Sequence, residues 1–236
     1  MALKRLSPIP VAGERRFHRK PGDKVLVIGL GRFGSALARE LVNTGSEVLA
    51  VDSSPRRVQE HADVLTHVIE ADTTEVQALR QLGASDFRTA VVGIGTDMEA
   101  SILTTAALSE VGVEDIWAKA ITESHGRILE RVGADHVIFP EGDMGRRVAH
   151  QMYGRVLDWF QLDDQFAMVE TVVPAELTGM TLATSDIRAR FGVTVVSVKP
   201  VGGRFTYATA DTTLAEGDIL VVAGTSREAE RFALLD

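Results

Sequence analysis

Three features of the sequence predict an α/β protein: a doubly wound parallel sheet followed by a smaller α+β lobe. The first is a glycine-rich turn, Gly29-Leu30-Gly31-Arg32-Phe33-Gly34, set between an apolar run and a helical one. The second is a regular alternation of short apolar runs and helical patterns as far as residue 140. The third is a change, from Asp163 onwards, to short β-rich runs punctuated by glycine. Alternating strands and helices imply parallel strands joined by crossovers, whereas successive short strands imply antiparallel pairing.

Val25-Leu26-Val27-Ile28 is continuously apolar, which suits a strand buried on both faces. Ala36, Leu37, Leu41 and Val42 follow at helical spacing, Thr44-Gly45 stops the helix, and Glu47 to Asp52 reads as the next strand. Within the turn each residue type has a physical task. Gly29 permits the tight bend, Gly31 lets a phosphate approach the backbone, and Gly34 lets the helix lie against the strand. The unpaired N–H groups and positive dipole end of the helix start favour an anion. Asp52 closes a strand roughly 18 residues beyond Gly34, where an acid accepts hydrogen bonds from ribose hydroxyls and repels a 2′-phosphate; Ser53 stands beside it. The alternative is a glycine turn used for packing alone.

The alternation then continues. Pro55 opens a helix that includes Val58 and Ala62, and Val64–Ile69 is strand-like. Thr74 is placed to cap a helix carrying Val76, Leu79 and Leu82, which Gly83 ends. Ala90-Val91-Val92-Gly93-Ile94-Gly95 is a fourth strand that echoes Val25–Gly31, as expected where the second half of such a sheet begins. Asp97–Val111 reads as a helix, Asp115–Ala120 as a strand, Glu123–Val132 as a helix and Asp135–Phe139 as a sixth strand. Together these give a Rossmann-like sheet over 24–141.

Residues 1–23 precede it as a mobile basic arm with Arg15, Arg16, His18, Arg19 and Lys20, either solvated or facing an anionic surface. After the sheet, Met144, Val148, Met152, Val156 and Phe160 recur every four residues, predicting one long amphipathic helix from Gly142 to Phe160 within a linking segment, 142–162. Its aromatic end, with Trp159, is expected to pack on a second copy of the chain or, alternatively, on its own sheet. Residues 163–236 form the α+β lobe. Its strands are Phe166–Val173, Val193–Lys199, Arg204–Tyr207 and Asp218–Ala223, with Gly202-Gly203 as a hairpin turn and helices at Ser185–Arg190 and Ser226–Phe232. So small a lobe is expected to dimerise.

Composition sets outer bounds. The 236 residues suffice for one large or two modest domains, and 45% hydrophobic with 25% charged residues is ordinary for a soluble globular chain. Without cysteine there are no disulfides, thiolate metal centres or cysteine nucleophiles, in keeping with a reducing compartment. A net charge of −8 argues against nucleic acid as a partner. No apolar run approaches the ~18 residues of a membrane span, and Met1-Ala2-Leu3-Lys4-Arg5 lacks a signal-peptide core. The expected location is the cytoplasm, docked on a membrane component.

In an open parallel sheet, ligands bind beyond the carboxyl ends of the strands. Those ends collect Gly29–Gly34, Asp52, Asp72, Thr73, Gly95, Thr96, Lys119 and Glu141. Asp72 and Thr73 either flank the adenine edge or cap a helix. Lys119 either faces phosphate or is a solvated strand end. Arg32 places a full charge beside the helix start, which suits terminal phosphates more than a simple pyrophosphate; the plainer alternative is surface exposure. Glu141 either caps the helix after it or holds a divalent cation that bridges phosphates. The six histidines are scattered, and His125 alone falls near Lys119. A dehydrogenase needs a proton donor or acceptor facing the nicotinamide, and the β lobe has no histidine.

The glycine turn, Val51-Asp52, Ile94-Gly95, Ile116-Trp117-Ala118-Lys119-Ala120 and Pro140-Glu141-Gly142-Asp143-Met144-Gly145 together resemble the RCK (KTN) family, the regulatory subunits of Ktr/Trk-type bacterial potassium transporters. The resemblance covers roughly 24–235 and leaves the arm outside. It implies a Rossmann-like RCK N-lobe, a crossover helix exchanged between protomers, and a dimerising C-lobe. It also implies homodimers assembled into an octameric ring beneath a membrane-embedded potassium channel subunit, on the inner face of the cell membrane. ATP or ADP, in some members NAD or NADH, binds the N-lobe; ATP favours the open transporter and ADP the closed one. By resemblance, the glycine turn contacts phosphate, Arg32 reaches a nucleotide across the dimer, and Asp52 is the ribose acid. Lys119 faces the nucleotide and Glu141 helps hold Mg²⁺ or Ca²⁺ at the γ-phosphate. Cyclic di-AMP binds some members between C-lobes, and Ile187, Arg188 and Arg190 lie in that segment. The family often carries Gly-Asp-Ala-Thr after the third strand, where this chain has Ala71-Asp72-Thr73-Thr74. The leading expectation is therefore a nucleotide-gated regulatory subunit, not an enzyme. The alternatives are an NAD-dependent oxidoreductase or an NAD(H)-sensing regulator. A DNA-binding repressor fails because residues 1–23 are too short for a helix-turn-helix.

Overall fold

Strand β1 (Lys24–Ile28) buries every residue after Lys24, because both of its faces are covered. Its alternate side chains enter two different cores. Leu26 and Ile28 join Leu79, Leu108 and Leu129, while Val25 and Val27 join Ala38, Leu41 and Leu65. The continuous apolar run is the consequence of that two-sided burial.

The computed structural model describes residues 22–236, apart from 153 and 164. They divide into two compact units that meet in the sequence at Glu141 and Gly142. The basic residues from Arg15 to Lys20 lie outside the described residues.

The first unit runs β1, α1 (Arg32–Asn43), β2 (Glu47–Asp52), α2 (Pro55–His61), β3 (His67–Glu70), α3 (Val76–Gln81), β4 (Thr89–Val92), α4 (Met98–Val111), β5 (Asp115–Lys119), α5 (Glu123–Val132) and β6 (His136–Ile138). All six strands are parallel, in the order β3-β2-β1-β4-β5-β6. The order reverses between β1 and β4, and that reversal opens a crevice beyond their carboxyl ends. Local chemistry sets the helix limits. Asp97 and Thr122 cap α4 and α5 through their side chains, and Gly112 and Gly133 end them at φ 92° and 116°. Thr74 does not cap α3 as the sequence suggests; Glu75 holds the cap position without a side-chain bond.

The second unit corrects the sequence in one important place. The predicted helix to Phe160 is only α6 (Pro140–Gln151), and Val156–Gln161 is strand β7. Gly154, at φ 61°, turns the chain so close to Ala233 and Leu234 that a Cβ would lie 2.9 Å from the Ala233 carbonyl oxygen. Arg155 then donates its N–H to that same oxygen at 3.1 Å. Trp159 is buried at 4% exposure within its own unit rather than at a surface between copies, with the His150 ring stacked on it at 4.1 Å. Arg147 clamps Asp158 through both ends of its guanidinium, Nε at 2.6 Å. Met144 and Val148 on α6, and Met152 just past its end, remain exposed.

The remaining elements are β8 (Phe166–Val172), α7 (Leu182–Ser185), α8 (Ile187–Phe191), β9 (Thr194–Lys199), β10 (Thr206–Tyr207), β11 (Ile219–Thr225) and α9 (Ser226–Ala233). The sheet is antiparallel, in the order β10-β9-β11-β8-β7. The single predicted helix at Ser185–Arg190 is split at Asp186, which adopts a left-handed φ of 49° between α7 and α8.

A Cβ at position 34 would stand 1.9 Å from the Gly29 carbonyl oxygen, which is backbone and cannot give way. Gly34→Ala is expected to cost at least about 3 kcal/mol of stability in urea unfolding. Gly31→Ala, with φ −67° and nothing within 4 Å of its Cβ, should stay within about 0.5 kcal/mol of wild type.

Candidate nucleotide site

The glycine turn is held from three sides. Gly29, at φ 90°, donates its N–H to Val51 at 2.7 Å, and Gly93 donates to Ile28 at 2.7 Å. A Cβ on Gly93 would meet the Gly29 carbonyl oxygen at 3.1 Å. Gly93 is thus a part of the turn that the glycine motif alone does not reveal; its signal is the echo of β1 in β4. Leu30 buries its side chain and Phe33 packs half-buried on the β1–β2 core, so both serve the turn through packing and backbone. Arg32 is exposed at the first position of α1.

Asp52 ends β2 with its side chain 2% exposed. Its Oδ2 accepts the Leu30 N–H at 2.6 Å and Arg57 Nη1 at 3.3 Å, and its Oδ1 accepts the Ser54 N–H at 2.9 Å. The ribose acid expected from the sequence is thereby tied to the turn itself. Arg57 was not legible as part of this group. Ser53 is exposed beside it.

Beyond β3, Asp72 folds back on Thr74, accepting its N–H at 3.0 Å and its hydroxyl at 2.7 Å; those two bonds hold its carboxyl below the usual range. Thr73 is buried, its hydroxyl paired at 3.0 Å with that of Thr104 in α4. Thr73 therefore bonds α4 instead of presenting a free hydroxyl.

At the end of β5, Lys119 is buried and its Nζ meets Glu141 Oε1 at 2.6 Å. Gly95 makes room for it: a Cβ there would lie 2.8 Å from that Nζ. Thr96 is exposed next to Gly95. Glu141, largely exposed, has its carboxyl pKa lowered by the Lys119 bond first, with smaller contributions from the Lys119 and Arg32 charges. The turn, β5 and the start of α6 thus bring opposite charges to one end of the crevice.

His125 is different. It is 1% exposed, its Nδ1 accepts the Ile121 N–H at 3.4 Å, and its Nε2 has no partner among the described residues. Burial pushes its pKa down, so it is a neutral, inward imidazole. Among the described residues no group of three or more His, Asp or Glu is arranged to hold a metal ion. Glu141 fits a divalent cation only as one ligand, the rest coming from phosphate oxygens or water.

A parallel sheet with a glycine turn, an acid at the end of β2 and cationic groups at the crevice defines a Rossmann-type nucleotide-binding domain, here followed by a small antiparallel lobe. Residues 25–140 match the TrkA-N domain and residues 167–235 the TrkA-C domain. The chain is 38% identical over 207 residues to Ktr system potassium uptake protein C of Bacillus subtilis (strain 168), covering 87% of this chain and 94% of that protein. It is 41% identical over 207 residues to Ktr system potassium uptake protein A of Vibrio alginolyticus, with 87% and 94% covered. The chain belongs to this TrkA-N/TrkA-C family of potassium uptake proteins. Its fold matches the RCK domain of GsuK with a TM-score of 0.64 at 20% identity, over 94% of this chain and 50% of that one. The GsuK channel bound to NAD gives 0.65 at 19% identity, over 94% and 42%. The chain thus spans about half the length of the GsuK chains or less.

Because the Glu141 pKa is lowered in the fold, the Lys119 pair stabilises above the ordinary glutamate range and is lost as pH falls through the lowered value. Lys119→Met should return the Glu141 carboxyl toward an ordinary glutamate titration. A carboxyl ¹³C NMR titration checks this, and an unchanged midpoint would remove Lys119 as the cause.

Proposed function

We propose that the chain is the cytoplasmic nucleotide-sensing subunit of a potassium uptake system, gating a membrane-embedded potassium transporter subunit by population shift. The observation that carries this reading is the pairing of the glycine turn with Asp52 in a chain 36–41% identical to Ktr system proteins over most of its length. Among the described residues no helix is long and apolar enough to cross a membrane, so a transport role requires a partner that does. ATP and ADP are the proposed ligands, with NAD or NADH as the alternative. The proposed assembly is a homodimer that builds a ring of eight. The exposed Met144 and Val148 on α6, with Met152 just past its end, support a covering copy there.

Binding rather than turnover fits the site. His125 is sealed and neutral, and Lys119 is engaged by Glu141. In this reading the terminal phosphate meets Lys119 and an Arg32, from the same chain or from across the dimer, while Glu141 holds Mg²⁺ or Ca²⁺ against it.

A second ligand is proposed for the C-terminal unit. A groove of about 310 Å³ is lined by Leu182, Asp186, Ile187, Arg188, Val195 and Ala208, apolar walls with one cation and one carboxylate; in this reading it is one half of a cyclic di-AMP site that the C-lobe of a second copy completes. Arg190 is held elsewhere, at 2.7 Å from Glu176 and over the Phe191 ring. Arg188→Ala should weaken cyclic di-AMP at least 10-fold in calorimetry while sparing ATP; equal affinity for wild type and variant would remove the groove as its site.

A thermal-shift comparison of ATP, ADP, NAD⁺ and NADH, with and without Mg²⁺, tests the main reading. A cognate ligand at about 100 times its Kd adds about 2.7 kcal/mol. Arg32→Ala is expected to weaken ATP more than ADP, and Glu141→Gln to reduce the effect of Mg²⁺ on ATP affinity. Stabilisation by none of the four ligands would overturn the proposal, and steady oxidation of NADH with a substrate would revive an oxidoreductase.

A further inference from the structure

Asp52 is crowded for an acid that must receive a ribose. A carboxylate offers about four lone-pair positions. Three are taken: Leu30 N–H and Arg57 Nη1 on Oδ2, and Ser54 N–H on Oδ1. A vicinal diol presents two O–H donors and addresses both oxygens. Oδ1 has room for one of them. On Oδ2 the Leu30 bond, at 2.6 Å, is made by backbone that the turn fixes. The Arg57 bond is longer, at 3.3 Å, and its side chain is 45% exposed at the first turn of α2, free to swing into solvent.

We propose that Arg57 is a specificity-determining residue of this crevice: it competes with one ribose hydroxyl for Asp52 Oδ2 and so suppresses the site's preference for a ribonucleotide over its 2′-deoxy counterpart. The inference rests on the nucleotide reading above. It turns on a count of acceptors. A 2′-deoxyribose brings only the 3′-hydroxyl and is satisfied by the open position on Oδ1. A ribose gains its second bond only by displacing the guanidinium, which gives back part of the gain. Removing Arg57 leaves the buried Asp52 oxygen short of a donor, and the 2′-hydroxyl supplies one. A general loss of positive charge would change both ligands alike, so the ratio between them isolates the competition from long-range electrostatics.

The test is calorimetric titration of the full chain with ATP and with 2′-deoxy-ATP, for wild type, Arg57→Ala and Arg57→Gln. Wild type is expected to prefer ATP by less than about 3-fold and both variants by about 10-fold or more. Adding Asp52→Ala to Arg57→Ala should abolish the increase, because both carboxylate acceptors are then lost. An unchanged ratio in both variants, with binding intact, overturns the role of Arg57 and leaves the nucleotide reading standing. No heat with either ligand, from wild type or variants, overturns the nucleotide reading itself and this inference with it.

Discussion

Three backbones converge where no side chain fits. The Gly29 carbonyl oxygen lies 1.9 Å from where a Cβ on Gly34 would be and 3.1 Å from one on Gly93, and the latter would also touch the Gly34 Cα at 3.4 Å. The turn, the first helix and the end of the fourth strand are therefore in direct contact. That contact seats the start of α1 at the point where the sheet order reverses. Three properties of the crevice follow from it: the helix start facing the crevice, the approach open over Gly31, and the reach of the Leu30 N–H to Asp52.

The charges are arranged around that seat in pairs. Asp52 is nearly sealed yet accepts three hydrogen bonds, which offset the cost of burying a carboxylate. Lys119 is buried against an exposed glutamate, so solvent reaches the pair from one side only. Pairs of this kind hold geometry, and in the proposed reading they are exchanged for a ligand's oxygens or hydroxyls. A proton relay needs groups that gain and lose protons near neutral pH while touching substrate, and His125 is instead packed inward.

Much of the architecture is legible in the residues because it obeys short-range rules. α5 spans Glu123–Val132, the range its sequence pattern suggests, and β1 declares its central place by its unbroken apolar run. The errors arise where two periodicities coincide or where a distant element decides. Val156 and Phe160 continue the four-residue spacing of α6, but Gly154 breaks the helix to meet the last residues of α9. Trp159 finds its cover inside its own unit through His150, a stacking that no local pattern announces. At the site, Gly31, Asp52 and Lys119 were readable from strand ends. Arg57 was not, because its role depends on how α2 leaves β2, and Thr73 looked available until α4 was placed against it.

In the proposed reading the two ends of the crevice carry different information. The Asp52 end registers a ribose, and all adenine nucleotides carry one. Arg32, Lys119 and Glu141 gather at the other end, and each belongs to a different element: the start of α1, the end of β5 and the first turn of α6. A ligand distinguishes two conformations only through a difference in its binding energy to them. ATP and ADP differ only in the terminal phosphate, so discrimination must arise where that phosphate falls. Contacts at that end alone join three elements through one group, so tail length is sensed there, while the ribose end fixes affinity in common for both nucleotides.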